Sequence, residues 1–195
     1  MLRRGVSRLL SLTSALSLTA ISLAACVPPP AGPEGEPDGP VALDVIFVPT
    51  HLAIVHAMLE LAGVTREDVV YDLGCGDGRI VIAAAREYGA RGVGVDLDPR
   101  RVREARANAA RAGVEDRVTF RVENLFDTDL RTATVVTLFL SPELNARLLP
   151  KLSRELRPGT RIVSYRYGIA GWVPDRTVSV TLLETHHSVY LWHVP

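Results

Sequence analysis

The sequence contains little cysteine and carries no net charge. Its 195 residues include two cysteines, Cys26 and Cys75, in very different contexts, so we expect no disulfide. Lysine and arginine together number 22, as do aspartate and glutamate, so charge gives no reason to expect a nucleic acid partner. The sequence shows no cluster with metal-ligand spacing, and no metal site is predicted. The length fits one domain with a sizeable core, plus a tail.

The first 26 residues have the layout of a secretory signal. Three arginines precede a run of apolar or small residues, 9–25, that only Ser and Thr interrupt. This run is too short and too rich in Ser and Thr for a permanent membrane helix. Its ending, Leu-Ala-Ala-Cys, resembles a bacterial lipoprotein signal, which implies cleavage before Cys26 and lipid attachment to that cysteine. The prediction is an exported protein anchored to a membrane through Cys26, facing outside the cytoplasm. A plain signal or anchor, or a mis-assigned start codon and a cytoplasmic protein, are the alternatives.

Proline and glycine dominate the next segment, 27–43, which predicts an extended linker without a core of its own. The folded domain is predicted to span 44–195, where strand-like and helix-like segments alternate. This alternation predicts an α/β domain, a Rossmann-like, doubly wound and mostly parallel sheet. Two final strand-like segments, with a turn around 184–186, predict a C-terminal antiparallel hairpin and seven strands in all.

A glycine-rich segment, Gly74-Cys75-Gly76-Asp77-Gly78, lies between the first predicted strand and the following helix. Glycines there let the backbone turn sharply and approach a ligand, which the helix N-terminus and the edge of the sheet also favour. A dinucleotide motif would need its third glycine one position later, where Arg79 stands. Together with Asp72 and Asp77, the spacing favours S-adenosylmethionine as the cofactor over a dinucleotide.

An acidic residue follows the second predicted strand at the expected distance from the glycines. Asp96 is positioned to accept hydrogen bonds from both hydroxyls of a ribose. Asp98, directly before Pro99, is the better candidate for the N-cap of the next helix. Asp96 is therefore predicted to bind the cofactor.

Two segments resemble the first two motifs of class I S-adenosylmethionine-dependent methyltransferases: residues 72–80 and 95–99. The segments 47–50 and 135–142 further resemble bacterial relatives of the protein-lysine methyltransferases that act on the ATP synthase c-ring protein and adenine nucleotide translocase. The resemblance implies a protein-lysine N-methyltransferase that uses S-adenosylmethionine. The alternatives are a membrane-anchored, non-catalytic ligand-binding module on the same fold and, less favoured, a dinucleotide oxidoreductase. The methyl acceptor is expected to be a protein or a small molecule, and the oligomeric state stays open.

The resemblance also implies roles for individual residues. Pro49 and Thr50 would border the methionine end of the cofactor, and Asp72, Gly74 and Gly76 would hold its amino-acid portion. The ribose and adenine contacts fall to the ends of the second and third strands, namely Asp96, Leu97, Asn124 and Leu125.

The sequence departs from these relatives at three places, His51, Asn124 and 164–167, and the last of these puts the substrate in doubt. Methyl transfer to an amine needs positioning and a neutral nucleophile more than a strict base, so no catalytic residue is assigned. Weak candidates for the substrate side are Thr50, His51, Ser141 and Tyr165, together with Glu143 and Tyr167. An exported enzyme also needs a source of cofactor outside the cytoplasm, which the sequence does not reveal.

Overall fold

The structure is a computed structural model and describes residues 48–195. Within this range the chain forms four helices and one seven-stranded sheet. The helices are α1 (Leu52–Leu61), α2 (Arg79–Tyr88), α3 (Pro99–Ala112) and α4 (Pro142–Glu155). The strands are β1 (Val69–Leu73), β2 (Arg91–Asp96), β3 (Val118–Val122), β4 (Val135–Leu138), β5 (Arg161–Tyr165), β6 (Arg176–Leu182) and β7 (Thr185–His193).

The order of the strands confirms the predicted Rossmann-like sheet. It runs β3-β2-β1-β4-β5-β7-β6, and the first five strands pair in parallel. β7 pairs antiparallel with both β5 and β6, as the hairpin prediction requires. The chain reverses direction along the sheet between β3 and β4, so the carboxyl ends of β1 and β4 border a crevice of the kind that holds ligands in such sheets.

Two apolar cores cover the two faces of the sheet. Buried side chains of α1, α2 and α3 pack on one face, and those of α4 pack on the other face with Leu130 and Trp192. The central strands β1 and β4 are buried almost completely, which is why they read as continuous apolar runs in the sequence. Both faces are therefore closed, and the edge at the carboxyl ends of the strands is left to bind a ligand.

Local caps explain why several boundaries agree with the sequence. Gly89 and Gly113 end α2 and α3 in left-handed conformations, and the Asp98 side chain accepts a hydrogen bond from the Arg100 N–H, as an N-cap does. The bounds of α2, β2 and α3 match the prediction. The Ser141 side chain likewise caps α4 by accepting a hydrogen bond from the Leu144 N–H.

The turn of the C-terminal hairpin corrects one prediction. Expected around 184–186, it consists of Leu183 and Glu184, which adopt φ values of 47° and 66°. His186 and His187, expected in a solvated turn, lie in β7. Leu and Glu are unusual in that backbone region, so the sequence carries no turn signal there.

The helices of the described range bear on the membrane prediction in a limited way. Within 48–195, every helix is too short or too polar to span a membrane. The predicted signal, the lipidation site at Cys26, the linker 27–43 and the domain start at 44 fall outside the described residues. They stay predictions.

Candidate functional site

The glycine-rich segment forms a tight loop at the carboxyl end of β1. Gly74, Gly76 and Gly78 all have positive φ, of 87°, 53° and 79°. The Gly74 and Cys75 N–H groups both donate to the carbonyl of Val95, at the end of β2. A Cβ atom on Gly78 would lie 2.6 Å from the ring of Phe120, so this position admits only glycine without rearrangement. The loop therefore depends on its glycines for both conformation and space.

Asp96 fixes the loop from the neighbouring strand. Its Oδ2 accepts a hydrogen bond from the Gly76 N–H at 2.8 Å, and its Oδ1 accepts one from the Asp98 N–H at 2.9 Å. The carboxylate also lines the cleft described below. Each carboxylate oxygen can accept more than one hydrogen bond, so these contacts leave it able to bind a ligand hydroxyl.

A cleft of about 300 Å³ opens at the carboxyl ends of the central strands. One part, which we call the loop half, is lined by the glycine loop and the ends of β1 to β3: Asp72, Gly74, Cys75, Asp77, Ile80, Val95, Asp96, Leu97, Asp98, Arg101, Glu123, Asn124, Leu125 and Phe126. The other part, the β4–β5 half, is lined by residues that follow β4 and β5: Phe139, Leu140, Ser141, Leu144, Arg166 and Tyr167. Val48, Thr50 and Arg79 complete the lining.

The structure brings together most of the predicted site residues. Those that line the cleft are Thr50, Asp72, Gly74, Asp77, Asp96, Leu97, Asn124, Leu125, Ser141 and Tyr167. Gly76 lies just behind this lining and reaches it through its hydrogen bond to Asp96. Asn124 uses its side-chain oxygen to accept from the Phe126 N–H, so this residue also shapes the turn after β3.

Four predicted residues lie outside the lining. Pro49 is exposed, and the His51 side chain caps α1 by accepting a hydrogen bond from the Ala53 N–H. Glu143 lies in the first turn of α4. Tyr165 is buried behind Phe139, and its hydroxyl shares a hydrogen bond of 2.7 Å with Nδ1 of His187. The direct substrate contacts expected of His51 and Tyr165 are therefore replaced by roles within the fold.

Arg79 holds two parts of the cleft wall together, a role that the sequence did not reveal. Its guanidinium binds both carboxylate oxygens of Asp77, which raises the pKa of the arginine further. Nη1 of the same group donates to the carbonyl of Thr50 at 2.5 Å. Arg79 thereby attaches the segment before α1 to the glycine loop, across 29 residues of sequence.

Asp72 is the most deeply buried carboxyl group of the cleft. Burial raises its pKa to about 7, and the nearby carboxylates of Asp96 and Asp77 add to the effect, whereas the hydrogen bond from Thr137 opposes it. That bond, from the Thr137 hydroxyl to Oδ1, is 2.7 Å long. A cation placed in the loop half would stabilise the ionised form of this carboxyl group.

Cys75 is a packing residue of the loop. Its side chain is buried, and burial raises the pKa of the thiol well above its usual value. The neutral thiol is a poor nucleophile. Among the described residues, His, Cys, Asp and Glu side chains form no group of three suited to a metal ion.

The loop half is complementary to S-adenosylmethionine. This cofactor carries an ammonium and a sulfonium cation, a ribose diol and an adenine ring. The carboxylates of Asp72, Asp77 and Asp96 supply negative charge and hydrogen-bond acceptors, and Leu97 and Leu125 offer apolar surface for a ring. The donor set and the charge of the cleft therefore fit this cofactor.

Comparison with known proteins identifies the family. The model of the ANTKMT methyltransferase domain matches residues 72–176, more than half of the chain. The chain belongs to this family. It is an S-adenosylmethionine-dependent methyltransferase, as the motifs at 72–80 and 95–99 indicated.

Three relatives illustrate the match. A protein-lysine N-methyltransferase of Saccharolobus islandicus is 46% identical over 149 residues, which cover 76% of this chain and 92% of the relative. The Xenopus laevis lysine N-methyltransferase of the ATP synthase c-ring protein is 36% identical over 129 residues, 66% of this chain and 56% of the relative. A crystal structure from Salinibacter ruber, described as an RNA methyltransferase in complex with S-adenosyl-L-homocysteine, is 53% identical with a TM-score of 0.72. It covers 76% of this chain and 94% of its own.

Proposed function

We propose that the chain transfers the methyl group of S-adenosylmethionine to the ε-amino group of lysine in an acceptor protein. The main support is the Saccharolobus relative, because this chain covers 92% of it at 46% identity. Relatives from Xenopus laevis and Mus musculus are likewise lysine N-methyltransferases, of the ATP synthase c-ring protein and of adenine nucleotide translocase. These last relatives are longer than the matched stretch, so their acceptors stay theirs.

The β4–β5 half suits an amine acceptor. S-adenosylmethionine supplies a methyl group on a sulfonium with a good leaving group, so the protein has to orient a neutral amine and keep water away. A free lysine amine is mostly protonated at neutral pH. Phe139, Leu140 and Tyr167 offer a largely apolar lining, and desolvation there favours the neutral form. Thr50 and Ser141 add polar atoms to the same cleft.

The description of the Salinibacter structure makes RNA the second candidate acceptor. The cleft lining argues against it, because it contains five carboxylates, those of Asp72, Asp77, Asp96, Asp98 and Glu123. Two of the three arginines of the lining also contact acidic residues, Asp77 and Glu104. A phosphate backbone is bound by clustered lysine and arginine with free cationic surface. A protein acceptor therefore agrees better with the charge of the cleft.

The test is methyl transfer by the full-length chain from S-adenosylmethionine with a labelled methyl group. Parallel reactions contain membrane proteins, soluble proteins or total RNA, and mass spectrometry locates the label. We expect methyl-lysine in a protein fraction, and loss of that signal in Asp96→Ala. Label that enters RNA and no protein would overturn the lysine proposal and leave the family assignment intact.

We also propose that the mature protein is anchored to a membrane through a lipid on Cys26. Support comes from the sequence of residues 1–26 alone. Mass spectrometry of the mature N-terminus tests it, and a lipid-modified peptide beginning at Cys26 is the expected result. An unmodified peptide beginning at Met1, recovered from the cytosol, would contradict the anchor and solve the question of cofactor supply.

A further inference from the structure

A strained turn follows β5 at the mouth of the cleft. Arg166 has a φ of 70°, and the Tyr167 N–H donates to the carbonyl of Tyr165 at 2.8 Å. This hydrogen bond, two residues apart around a positive φ, defines the rare form of the γ-turn. A non-glycine residue persists in such a conformation only where its surroundings enforce it, and such residues cluster at functional sites.

Three side chains and one strand hold this turn in place. The Arg166 N–H donates to the carbonyl of Ser188 in β7 at 2.8 Å. The Ser164 hydroxyl donates to the carbonyl of Tyr167 at 2.6 Å. Asn145 of α4, fully buried, donates through Nδ2 to the carbonyls of Tyr167 and Gly168. The Arg166 guanidinium lies over the Tyr167 ring, 5.4 Å from its centroid.

Asn145 shows how much the fold gives up for this turn. Its side-chain oxygen is buried and finds no partner among residues 48–195. An unsatisfied buried acceptor is costly, so the amide is devoted to the turn. The turn is thus fixed from α4, β5 and β7 together.

The result is a cationic group held at the β4–β5 half of the cleft. Arg166 and Tyr167 both line it. Within residues 48–195, no carboxylate forms an ion pair with this guanidinium, unlike Arg79, which Asp77 binds. A guanidinium presents a planar set of donors that matches one carboxylate in a bidentate arrangement.

We infer that Arg166 selects acceptors by binding the carboxylate of an aspartate or glutamate close to the methylated lysine. This inference rests on the proposed function, because it assumes a lysine acceptor. A single guanidinium beside several carboxylates suits one acidic side chain better than a phosphate chain. Arg166 acts as a specificity residue that orients the acceptor, and it takes no proton in the reaction.

A peptide library tests the inference. Each peptide has one central lysine and randomised flanking residues, and the full-length chain methylates the library with labelled S-adenosylmethionine. We expect the wild type to favour peptides with an acidic residue within about three positions of the lysine, by roughly 3- to 10-fold. Arg166→Gln should abolish the preference, and Arg166→Glu should shift it toward basic flanking residues.

Two controls separate recognition from folding. Arg157→Gln removes an exposed arginine before β5, at the opposite edge of the sheet, and should keep the acidic preference. Arg166→Gly removes the guanidinium and relieves the positive φ, so it should fold at least as stably as the wild type and still lose the preference.

The outcomes distinguish the two claims. Lysine methylation without an acidic preference, or with the same preference in Arg166→Glu, overturns the role of Arg166 and leaves the proposed function standing. A library in which the wild type methylates no lysine, while it methylates RNA, overturns the proposed function itself.

Discussion

The two halves of the cleft differ in how their residues are held. In the loop half, consecutive residues between β1 and α2 provide the turn, and Asp96 fixes it through the Gly76 N–H. In the β4–β5 half, Arg166 and Tyr167 are held by residues from other elements, among them Asn145 and Ser188. A motif close in sequence thus forms the part that binds the cofactor, whereas long-range contacts form the part that faces the acceptor.

The largest effect should come from filling the space behind the loop half. We expect Gly78→Ala to lower the free energy of unfolding by about 2–5 kcal/mol, because it combines a positive φ with a clash against Phe120. Chemical denaturation measures the loss. Gly113→Ala is the matched control, with a φ of 66° and no atom within 4 Å of the added Cβ, so it should cost only about 1–2 kcal/mol. Equal losses in both variants would refute the packing argument.

The second effect concerns the buried carboxyl group of the loop half. The pKa of Asp72 is about 7 in the folded chain against an ordinary value of 3.8, so between these values the folded state holds a proton that the unfolded state has lost. The contribution of Asp72 to stability therefore falls as the pH rises from about 4 to 7, on the order of 4 kcal/mol.

Asp72→Asn removes this titration. The variant should lose the corresponding fall in stability over the same pH range, which denaturation at several pH values measures. Thr137→Ser, which keeps the hydroxyl that donates to Asp72, is the control and should follow the wild-type profile. An unchanged profile in Asp72→Asn would mean that Asp72 is ionised throughout.

A smaller effect is expected on binding. Asp96→Ala should weaken S-adenosylmethionine binding by about 1.5–3 kcal/mol, the range for hydrogen bonds to charged groups. Calorimetry measures the affinity, and a thermal melt checks that the variant is folded. Unchanged affinity would show that the ribose lies elsewhere.

The smallest effect belongs to the β4–β5 half. Tyr165→Phe loses the hydrogen bond with His187 and should destabilise the fold by about 0.5–1.5 kcal/mol. Because Tyr165 lies outside the cleft lining, the affinity for S-adenosylmethionine should stay at the wild-type value. A loss of cofactor affinity here would show that the two halves are coupled.

The same contrast explains what the sequence could reveal. Glycine spacing and Asp96 predicted the loop half, and the caps at Asp98 and Gly113 fixed the bounds of α3, since all of these signals are local. The turn at 183–184 carried no glycine or asparagine, so its position was missed. The role of Asn145 was missed as well, because it depends on contacts with residues more than twenty positions away.

The central claim is that the loop half binds S-adenosylmethionine. Calorimetric titration of the full-length chain with this cofactor, at about pH 8 where Asp72 is mostly ionised, tests it most directly. We predict saturable binding to one site per chain. A folded sample that takes up no S-adenosylmethionine would contradict the account.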